Sequence, residues 1–197
     1  MNYTLNRRGL LLASAALLAG TAAGAKTAPP AFKGPDLSDA DYGHDFKLKD
    51  PQGRERSLAE WRGKAVMLHF GFTQCPDACP TTLARAAEVR RLLGPLGKKL
   101  QVVFITLDPE RDTPELLSAY TAAFDPTIVP LYGDLEHTRA VAQSFHIFFK
   151  KVQTGSSYTL DHSTVGFAFD PKGRLRVGLR HTESAEDCAH DLRQLLA

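Results

Sequence analysis

The chain has 197 residues, of which 43% are hydrophobic, 9% aromatic and 23% charged. This length and composition allow one hydrophobic core, and they exclude a disordered, collagen-like or coiled-coil chain and a protein with several membrane spans. Lys and Arg number 24 against 22 Asp and Glu, and two of the arginines lie in the first 25 residues, which hold no acid. The remaining domain is therefore neutral, and we expect no nucleic-acid partner.

The first 25 residues have the pattern of an export signal. Arg7 and Arg8 precede a run of apolar and small residues over positions 9–19, and residues 23–25 (Ala-Gly-Ala) resemble a signal-peptidase cleavage site. The paired arginines are typical of a twin-arginine signal. An uncleaved membrane anchor is the alternative, because the apolar run is close to the lower limit for a span. We expect a periplasmic protein, either soluble after cleavage or anchored to the inner membrane through its N-terminus.

A leader and a hairpin follow the signal. Residues 26–41 are rich in Pro, Ala, Gly and Asp, which predicts a flexible leader, and the globular domain is predicted to begin at Tyr42. Apolar and polar residues alternate before the turn signal at residues 50–53, and a second short segment follows it, which predicts an N-terminal β-hairpin. A capping-box pattern at residues 57–60 predicts a short helical turn through Trp61.

A buried strand then leads to a helix. The apolar run at residues 65–70 lies between two glycines, which is typical of a strand buried on both faces. A loop follows from Gly71. The next helix is predicted to begin at Cys79 or Pro80, because proline fits the first turn of a helix but not its interior, and to end at residues 94–95 (Gly-Pro).

The second half of the chain completes an α/β pattern. The predicted elements are a strand over residues 100–107, helices over 113–124 and 134–145, a strand–turn–strand unit over 165–179, and a closing helix over 184–196. Two parallel strands joined by a helix, followed by a hairpin and a helix, predict an α/β thioredoxin-like fold. It has an N-terminal β-hairpin and an inserted helix between the second crossover helix and the C-terminal hairpin. We predict one such domain over residues 42–197.

Two cysteines are placed where a reactive pair can form. Cys75 and Cys79 lie between the buried strand and the first turn of the helix, where the helix dipole and free N–H groups stabilise a thiolate at Cys79. Such a pair can act as a dithiol or as two soft metal ligands. Three residues separate the thiols instead of the two of a thioredoxin motif, and this wider spacing favours ligands. Cys188, in the closing helix, is predicted to be a buried, inert thiol.

A histidine is the candidate third ligand, because two thiolates leave a trigonal or tetrahedral site incomplete. His162 directly precedes the strand predicted to lie beside the strand that leads to the cysteines, so it is expected to face them. His69 is predicted to be packed inside its strand. The other histidines are assigned to the surface or core: His44, His137, His146, His181 and His190. Two thiolates and an imidazole suit copper in both oxidation states, and zinc could bind the same set.

Three motifs resemble those of the SCO/SenC family of copper proteins. They are GFTQCPDACPTT at residues 71–82, LDPERDTP at 107–114 and LDHS at 160–163. The resemblance extends over about residues 42–196. It implies a thioredoxin-like metallochaperone that binds Cu(I) or Cu(II) and helps to assemble the dinuclear copper centre of cytochrome c oxidase subunit II. That subunit and an upstream copper donor would then be its partners.

The resemblance also implies roles for individual residues. Cys75, Cys79 and His162 match the copper ligands of the family. Asp161 lies beside the histidine ligand, and we assign it and Asp77 to orienting the ligands or to partner docking. The two cysteines can also form a redox disulfide, which would prevent copper binding.

The charged turn between the second strand and the second helix contains Asp108, Glu110, Arg111 and Asp112. It is predicted to be a solvated, self-paired loop, with a role in shaping the rim of the site as the alternative.

Two other classes of function stay open. One is a thiol–disulfide oxidoreductase or thiol peroxidase that acts through Cys75 and Cys79. The spacing of the thiols and the adjacent Asp161 and His162 argue against a dedicated enzyme, although an accessory disulfide reductase activity is compatible with copper transfer. The other class is a sensor or interaction module that signals copper or redox state without delivering metal.

Overall fold

A five-stranded sheet forms the centre of the structure, a computed structural model that describes residues 31–197. The predicted export signal lies outside the described residues. The strands are β1 (Leu48–Lys49), β2 (Glu55–Arg56), β3 (Ala65–Gly71), β4 (Leu100–Thr106), β5 (Val129–Leu131), β6 (Phe149–Thr154), β7 (Ser157–His162), β8 (Gly166–Phe169) and β9 (Leu175–Leu179). The helices are α1 (Ala78–Leu92), α2 (Pro114–Ala122), α3 (Leu135–Ser144) and α4 (Ala185–Leu196), with 3-10 turns at Leu58–Trp61 and Gly94–Lys99.

The strand order confirms the predicted thioredoxin-like fold. The central sheet runs β5-β4-β3-β8-β9; β3, β4 and β5 are parallel, whereas β8 is antiparallel to both β3 and β9. Every residue of β3 and β4 is buried, as expected for strands covered on both faces. The N-terminal hairpin β1–β2 is present, and α3 is the predicted inserted helix. Within the described residues, no helix is both long and apolar enough to cross a bilayer.

Alternating side chains of β3 divide the core into two layers. Val66, Leu68 and Phe70 point into an aromatic-rich layer, where Phe145 after α3 contacts several other rings. Met67 points to the opposite face, where it packs with apolar residues of α1 and α4. This arrangement holds β3 rigidly from both sides, and the cysteine loop begins where β3 ends.

Two hairpin turns share one sequence pattern, Asp-Pro-x-Gly-Arg-x-Arg, which begins at Asp50 and at Asp170. The buried Asp170 carboxylate accepts hydrogen bonds from the backbone N–H groups of Lys172 and Arg174 and from the Arg174 guanidinium. Asp50 accepts the equivalent bonds in the other turn. Gly173 has a φ of 73°, in the left-handed region that favours glycine. Both predicted turns are therefore confirmed.

Three strands, β5, β6 and β7, were not predicted from the sequence. β5 is short and contains Pro130, which is tolerated because β5 is an edge strand of the sheet. β6 and β7 form a separate two-stranded sheet joined through Gly155, and most of their side chains are exposed or half-buried. Their hydrophobic signal is weak because they are not covered on both faces. The following strand begins at Gly166, not at Val165.

The start of the domain also differs from the prediction. The compact unit begins at Ala31, within the segment that was predicted to be a flexible leader. The buried carboxylate of Asp191 on α4 accepts hydrogen bonds from the backbone N–H groups of Lys33 and Gly34, at 2.8 and 2.9 Å. The backbone N–H of Leu37 donates to edge strand β9. These long-range contacts hold the segment against the domain, and its local composition did not indicate them.

Candidate metal centre

The cysteine loop connects β3 with α1. Cys75 lies in the loop and is half-buried, whereas Cys79 is buried in the first turn of α1 with 4% of its surface exposed. The helix begins at Ala78, one residue before the predicted start, which still leaves Pro80 in the first turn. The backbone N–H of Cys79 donates to Cys75 Sγ across 3.4 Å. The start of the helix therefore supplies a hydrogen bond to a cysteine sulfur, although this sulfur belongs to Cys75 and not to Cys79.

His162 is the last residue of β7 and faces the cysteines. Its Nε2 atom lies 3.9 Å from Cys79 Sγ, and its ring meets Phe72 edge to face at 5.7 Å between centroids. The Nδ1 atom lies 2.8 Å from the carbonyl oxygen of Ser163, which can only accept a hydrogen bond. A proton on Nδ1 therefore keeps Nε2 directed to the sulfurs, where it can bind a metal once any proton on it is released. His162 meets the cysteines as predicted, but from a separate hairpin, not from a loop leading into a strand of the main sheet.

Cys75, Cys79 and His162 form one group that can hold a metal ion. One sulfur from each cysteine and one ring nitrogen lie within 4.8 Å of one another. With metal–ligand bonds of about 2.0–2.3 Å, the ligand atoms of a trigonal or tetrahedral site lie about 3.5–4 Å apart. The three atoms therefore need to close by about 1 Å at most. In the described part of the chain, no other group of three Cys, His, Asp or Glu side chains is close enough for a metal site.

The environment stabilises a thiolate at Cys75. The Cys79 thiol donates a hydrogen bond to the Cys75 sulfur, and this bond is the largest cause of a strongly lowered pKa at Cys75. Burial opposes the shift, but hydrogen bonds from His162 and from the backbone reinforce it. The same shared hydrogen bond, together with burial, raises the pKa of Cys79. The metal-free site thus holds one thiolate and one thiol, and metal binding to both sulfurs must release the Cys79 proton.

The pKa of His162 is raised by the same neighbours. Burial alone would lower it, but the hydrogen bonds with Cys75 and the Ser163 carbonyl and the charges of Cys75 and Asp161 more than compensate. The anionic Cys75 sulfur beside the ring is therefore one cause of the raised pKa, and a metal ion that binds Nε2 would replace any proton held there.

The two aspartates beside the ligands do not contact them through their side chains. Asp161 is exposed, and the pleat of β7 places it on the opposite face of the strand from His162. Asp77 is exposed at the start of α1, and its side chain caps no N–H group there. Its backbone N–H does donate to the Cys75 sulfur. Orientation of the ligands by the two carboxylates is therefore not seen among the described contacts, and a role in docking stays a prediction.

The charged turn after β4 is self-paired through Arg111 and Asp108, as predicted, but two of its acids are not solvated. Asp108 and Asp112 are only 2% and 1% exposed. The Asp112 carboxylate accepts hydrogen bonds from the backbone and hydroxyl of Thr73 and from the hydroxyl of Thr106. Burial raises the pKa of Asp112 despite these donors. Because Thr73 lies two residues before Cys75, Asp112 ties the cysteine loop to the end of β4. The sequence did place this turn at the carboxyl end of a buried strand, and this position was the available sign that its acids lie near the cysteine loop.

The remaining histidines and the third cysteine are not part of this potential metal group. His69 is buried, as predicted; it lines a small cavity with Cys79 and His162, and burial lowers its pKa to about 3, so it stays neutral. Cys188 is fully buried in α4, as predicted, and burial raises its pKa to about 12, which disfavours the reactive thiolate. None of the other five histidines joins a potential metal group in the described residues.

The fold and the site together define a thioredoxin-like protein with a Cys-Cys-His metal-binding group. A sequence model of the SCO1/SenC family matches residues 35–197, so the chain belongs to this family. The mitochondrial SCO2 homologue of Bos taurus is 35% identical over 157 residues, which is 78% of this chain and 59% of that protein. An SCO2-like protein of Rickettsia felis is 36% identical over 135 residues, 67% of this chain and 66% of its own length. The chain thus spans about three fifths to two thirds of these relatives.

Solved structures give the same family. The chain is similar to copper-bound ScoI of Bradyrhizobium japonicum, with a TM-score of 0.72 and 36% identity over 79% of this chain and 99% of that one. It is also similar to apo Sco1 of Thermus thermophilus, with a TM-score of 0.75 and 35% identity over 86% and 100% of the two chains. Yeast Sco1 has likewise been solved with copper bound; its TM-score is 0.70 and its identity 30%, over 78% of this chain and 87% of that one.

Proposed function

We propose that this protein is a copper carrier that binds Cu(I) or Cu(II) through Cys75, Cys79 and His162. The observation that supports this most directly is the convergence of two sulfurs and one imidazole nitrogen within 4.8 Å. Thiolates are good ligands for Cu(I), and an imidazole nitrogen helps to accommodate Cu(II). The relatives with bound copper support copper over zinc as the ion.

The three ligands have different parts in binding and release. Cys75 is half-buried and already a thiolate, so it is the first sulfur that an incoming ion can reach. Cys79 is buried and must lose its proton before it binds, which makes binding depend on pH. His162 binds through Nε2 while the Ser163 carbonyl fixes Nδ1. Oxidation of both cysteines to a disulfide removes two ligands, so the redox state of the pair controls copper binding.

We infer that the carried copper serves cytochrome c oxidase. Its destination would be the dinuclear copper centre of subunit II, and an upstream donor would load the carrier. Membership of the SCO1/SenC family supports this destination. The twin-arginine-like N-terminus supports a periplasmic location, with the protein either released or tethered to the inner membrane.

The test of copper binding is spectroscopic. The reduced, metal-free protein receives one equivalent of Cu(II), and we expect a thiolate-to-copper charge-transfer band and a matching EPR signal. The variants Cys75→Ala, Cys79→Ala and His162→Ala should each lose or alter these signals and bind copper more weakly. His137→Ala and Cys188→Ala are the matched controls and should behave as wild type. An unchanged spectrum in His162→Ala would refute the ligand assignment.

The test of copper delivery is genetic. A deletion strain should lose the dinuclear copper centre of the oxidase, and the wild-type gene should restore it. The His162→Ala gene should not restore it, because its product lacks one ligand. Normal oxidase in the deletion strain would contradict delivery and would favour a copper or redox sensor instead.

A thiol–disulfide oxidoreductase is the second candidate, and the Cys75 thiolate beside the Cys79 thiol is the observation that favours it. In this reaction the Cys75 thiolate attacks a partner disulfide and releases one partner thiolate; Cys79 then loses its proton and attacks the mixed disulfide, which releases the second. Two electrons pass to the partner, which ends as one thiol and one thiolate after taking up the Cys79 proton, while Cys75 and Cys79 become a disulfide. If Cu(II) only oxidises the pair and leaves no bound metal, this candidate replaces the first. Rapid peroxide turnover by the metal-free dithiol would indicate a peroxidase.

A further inference from the structure

One arginine joins the two parts of the chain that carry the metal ligands. Arg111 lies in the turn between β4 and α2 and is mostly buried, with 16% of its side chain exposed. Its Nη1 atom donates to Gln74 Oε1 at 3.0 Å and to the backbone carbonyl of Tyr158 at 2.7 Å. Its Nε atom donates to the buried carboxylate of Asp108. A single guanidinium therefore contacts the cysteine loop, the hairpin β6–β7 that carries His162, and the buried carboxylate of Asp108.

Two partners of Arg111, Gln74 and Tyr158, lie close to metal ligands along the chain. Gln74 immediately precedes Cys75. Tyr158 lies on β7, the strand that ends at His162. The ring of Tyr158 stacks below the guanidinium at 3.6 Å from the Arg111 Cζ atom, and its hydroxyl donates to Asp108 at 2.8 Å. Asp108, Arg111 and Tyr158 thus each contact the other two, and these contacts hold β7 and the cysteine loop against the turn.

The hairpin β6–β7 needs such an attachment. It forms its own two-stranded sheet and is not hydrogen-bonded to the central sheet. Isolated two-stranded hairpins are at best marginally stable in water. Leu160 is its one fully buried residue. Phe149 also packs against the core, and the His162 ring contacts Phe72. A further polar attachment is the ion pair of Lys151 with Glu110, which lies in the same turn as Arg111. The polar side-chain contacts that tie this hairpin to the domain therefore come from this turn.

We propose that Arg111 is a positioning residue that sets the separation between the His162 imidazole and the two cysteine sulfurs. The inference deepens the proposed copper site and rests on it. The planar guanidinium donates in three directions while it stacks on an aromatic ring. Lysine has a single ammonium at the end of a flexible chain, so it can keep the positive charge but not this geometry. The role is therefore specific to arginine.

The experiment compares Arg111→Lys and Arg111→Ala with the wild-type protein. Arg91→Ala is the matched control, because Arg91 is an exposed arginine whose described partner is Glu88 on the same helix, α1. The first measurement is hydrogen exchange of residues 149–162 in the reduced, metal-free protein. We expect faster exchange of this hairpin in both Arg111 variants, while β3 and β4 keep wild-type protection. The control should leave the hairpin unchanged.

The second measurement is copper binding by the same proteins. Loss of a group that orients a metal ligand typically weakens metal affinity about 10–100-fold. We expect this loss for Cu(I), measured by competition with a chromogenic chelator, and a changed Cu(II) EPR signal in Arg111→Lys as well as in Arg111→Ala. Tyr158→Phe removes the bond to Asp108 but keeps the ring and carbonyl, so its effect should be smaller.

The outcomes separate this inference from the proposed function. Failure of the wild-type protein to bind copper refutes the copper site, whereas the exchange data on metal-free protein still decide whether Arg111 holds the hairpin. Wild-type hairpin exchange in Arg111→Ala overturns the inference. So does faster exchange together with wild-type copper affinity and an unchanged EPR signal. If Arg111→Ala does not fold, Arg111→Lys decides by the same two measurements.

Discussion

Gly71, the last residue of β3, is the position where one added methyl group tests the site most directly. A Cβ atom there would lie 2.6 Å from Cys79 Sγ and 2.8 Å from the ring of Phe104. Ordinary contacts between such atoms are about 3.5–4.0 Å long. The sulfur and the ring therefore have to retreat by about 1 Å each in Gly71→Ala. The backbone itself does not oppose alanine, because Gly71 has no positive φ.

The cost of Gly71→Ala has two components. Extra volume in a packed core costs about 1–3 kcal/mol. In a domain of this size, that corresponds to a melting temperature lower by about 2–12 °C. Metal binding draws the ligand atoms together, so the displaced Cys79 sulfur would have to return against the alanine methyl group. A cost of about 1.4 kcal/mol in binding free energy lowers copper affinity about tenfold.

The assay measures both quantities beside a matched variant. In Gly97→Ala, the new Cβ would lie 2.5 Å from the Arg90 carbonyl oxygen, next to the start of β4 and so at the end of the sheet away from the sulfurs. This control should be destabilised while its copper affinity and spectrum stay as in wild type. Thermal unfolding of the metal-free proteins gives the melting temperature, and competition with a chelator for Cu(I) gives the copper affinity. Wild-type copper affinity in Gly71→Ala would refute the argument that close packing against β3 fixes the Cys79 sulfur.

Three further predictions follow from the polar contacts. Asp191→Ala leaves two N–H groups of the N-terminal segment without their acceptor, so it should cost about 2–4 kcal/mol in the free energy of unfolding. Limited proteolysis should then cut near residues 31–37, and an unchanged digestion pattern would contradict this attachment. Burial by itself would raise the pKa of Asp170, but the backbone N–H and guanidinium of Arg174 lower it below the ordinary value of 3.8. The ionised carboxylate therefore stabilises the fold above about pH 4, and this stabilisation is lost as pH falls through the lower pKa of the folded state. Asp170→Asn should be less stable than wild type at pH 7, and the difference measured by thermal melts should shrink toward pH 3; a constant difference would be inconsistent with the lowered pKa. Asp112→Ala removes the acceptor of three hydrogen bonds to Thr73 and Thr106, so it should destabilise the protein by about 2–4 kcal/mol in denaturant titrations and loosen the cysteine loop in hydrogen exchange. Wild-type exchange of residues 72–77 would show that the loop is held by other contacts.

Local sequence patterns were sufficient for the elements that hold the cysteines. The apolar run of β3 and the proline in the next segment predicted a buried strand and a helix start, and the structure has both within one residue. Cys79 lies in the first turn of this helix and Cys75 only four residues before it, so their proximity is a local property. The turns at Asp50 and Asp170 were predictable for the same reason, because each turn is closed by residues within six positions of the aspartate.

Only the tertiary structure decided how the rest of the site is assembled. His162 follows Cys79 by 83 residues and reaches it on a hairpin whose strands have no continuous apolar face. Asp112 and Arg111 looked like members of a solvated charged turn, because a run of charges does not reveal which of them a distant segment will cover. Their partners Thr73 and Tyr158 are 39 and 47 residues away in the sequence. The sequence determined the ligand types and the strand and helix on either side of the cysteine loop, whereas long-range packing determined the position of the imidazole.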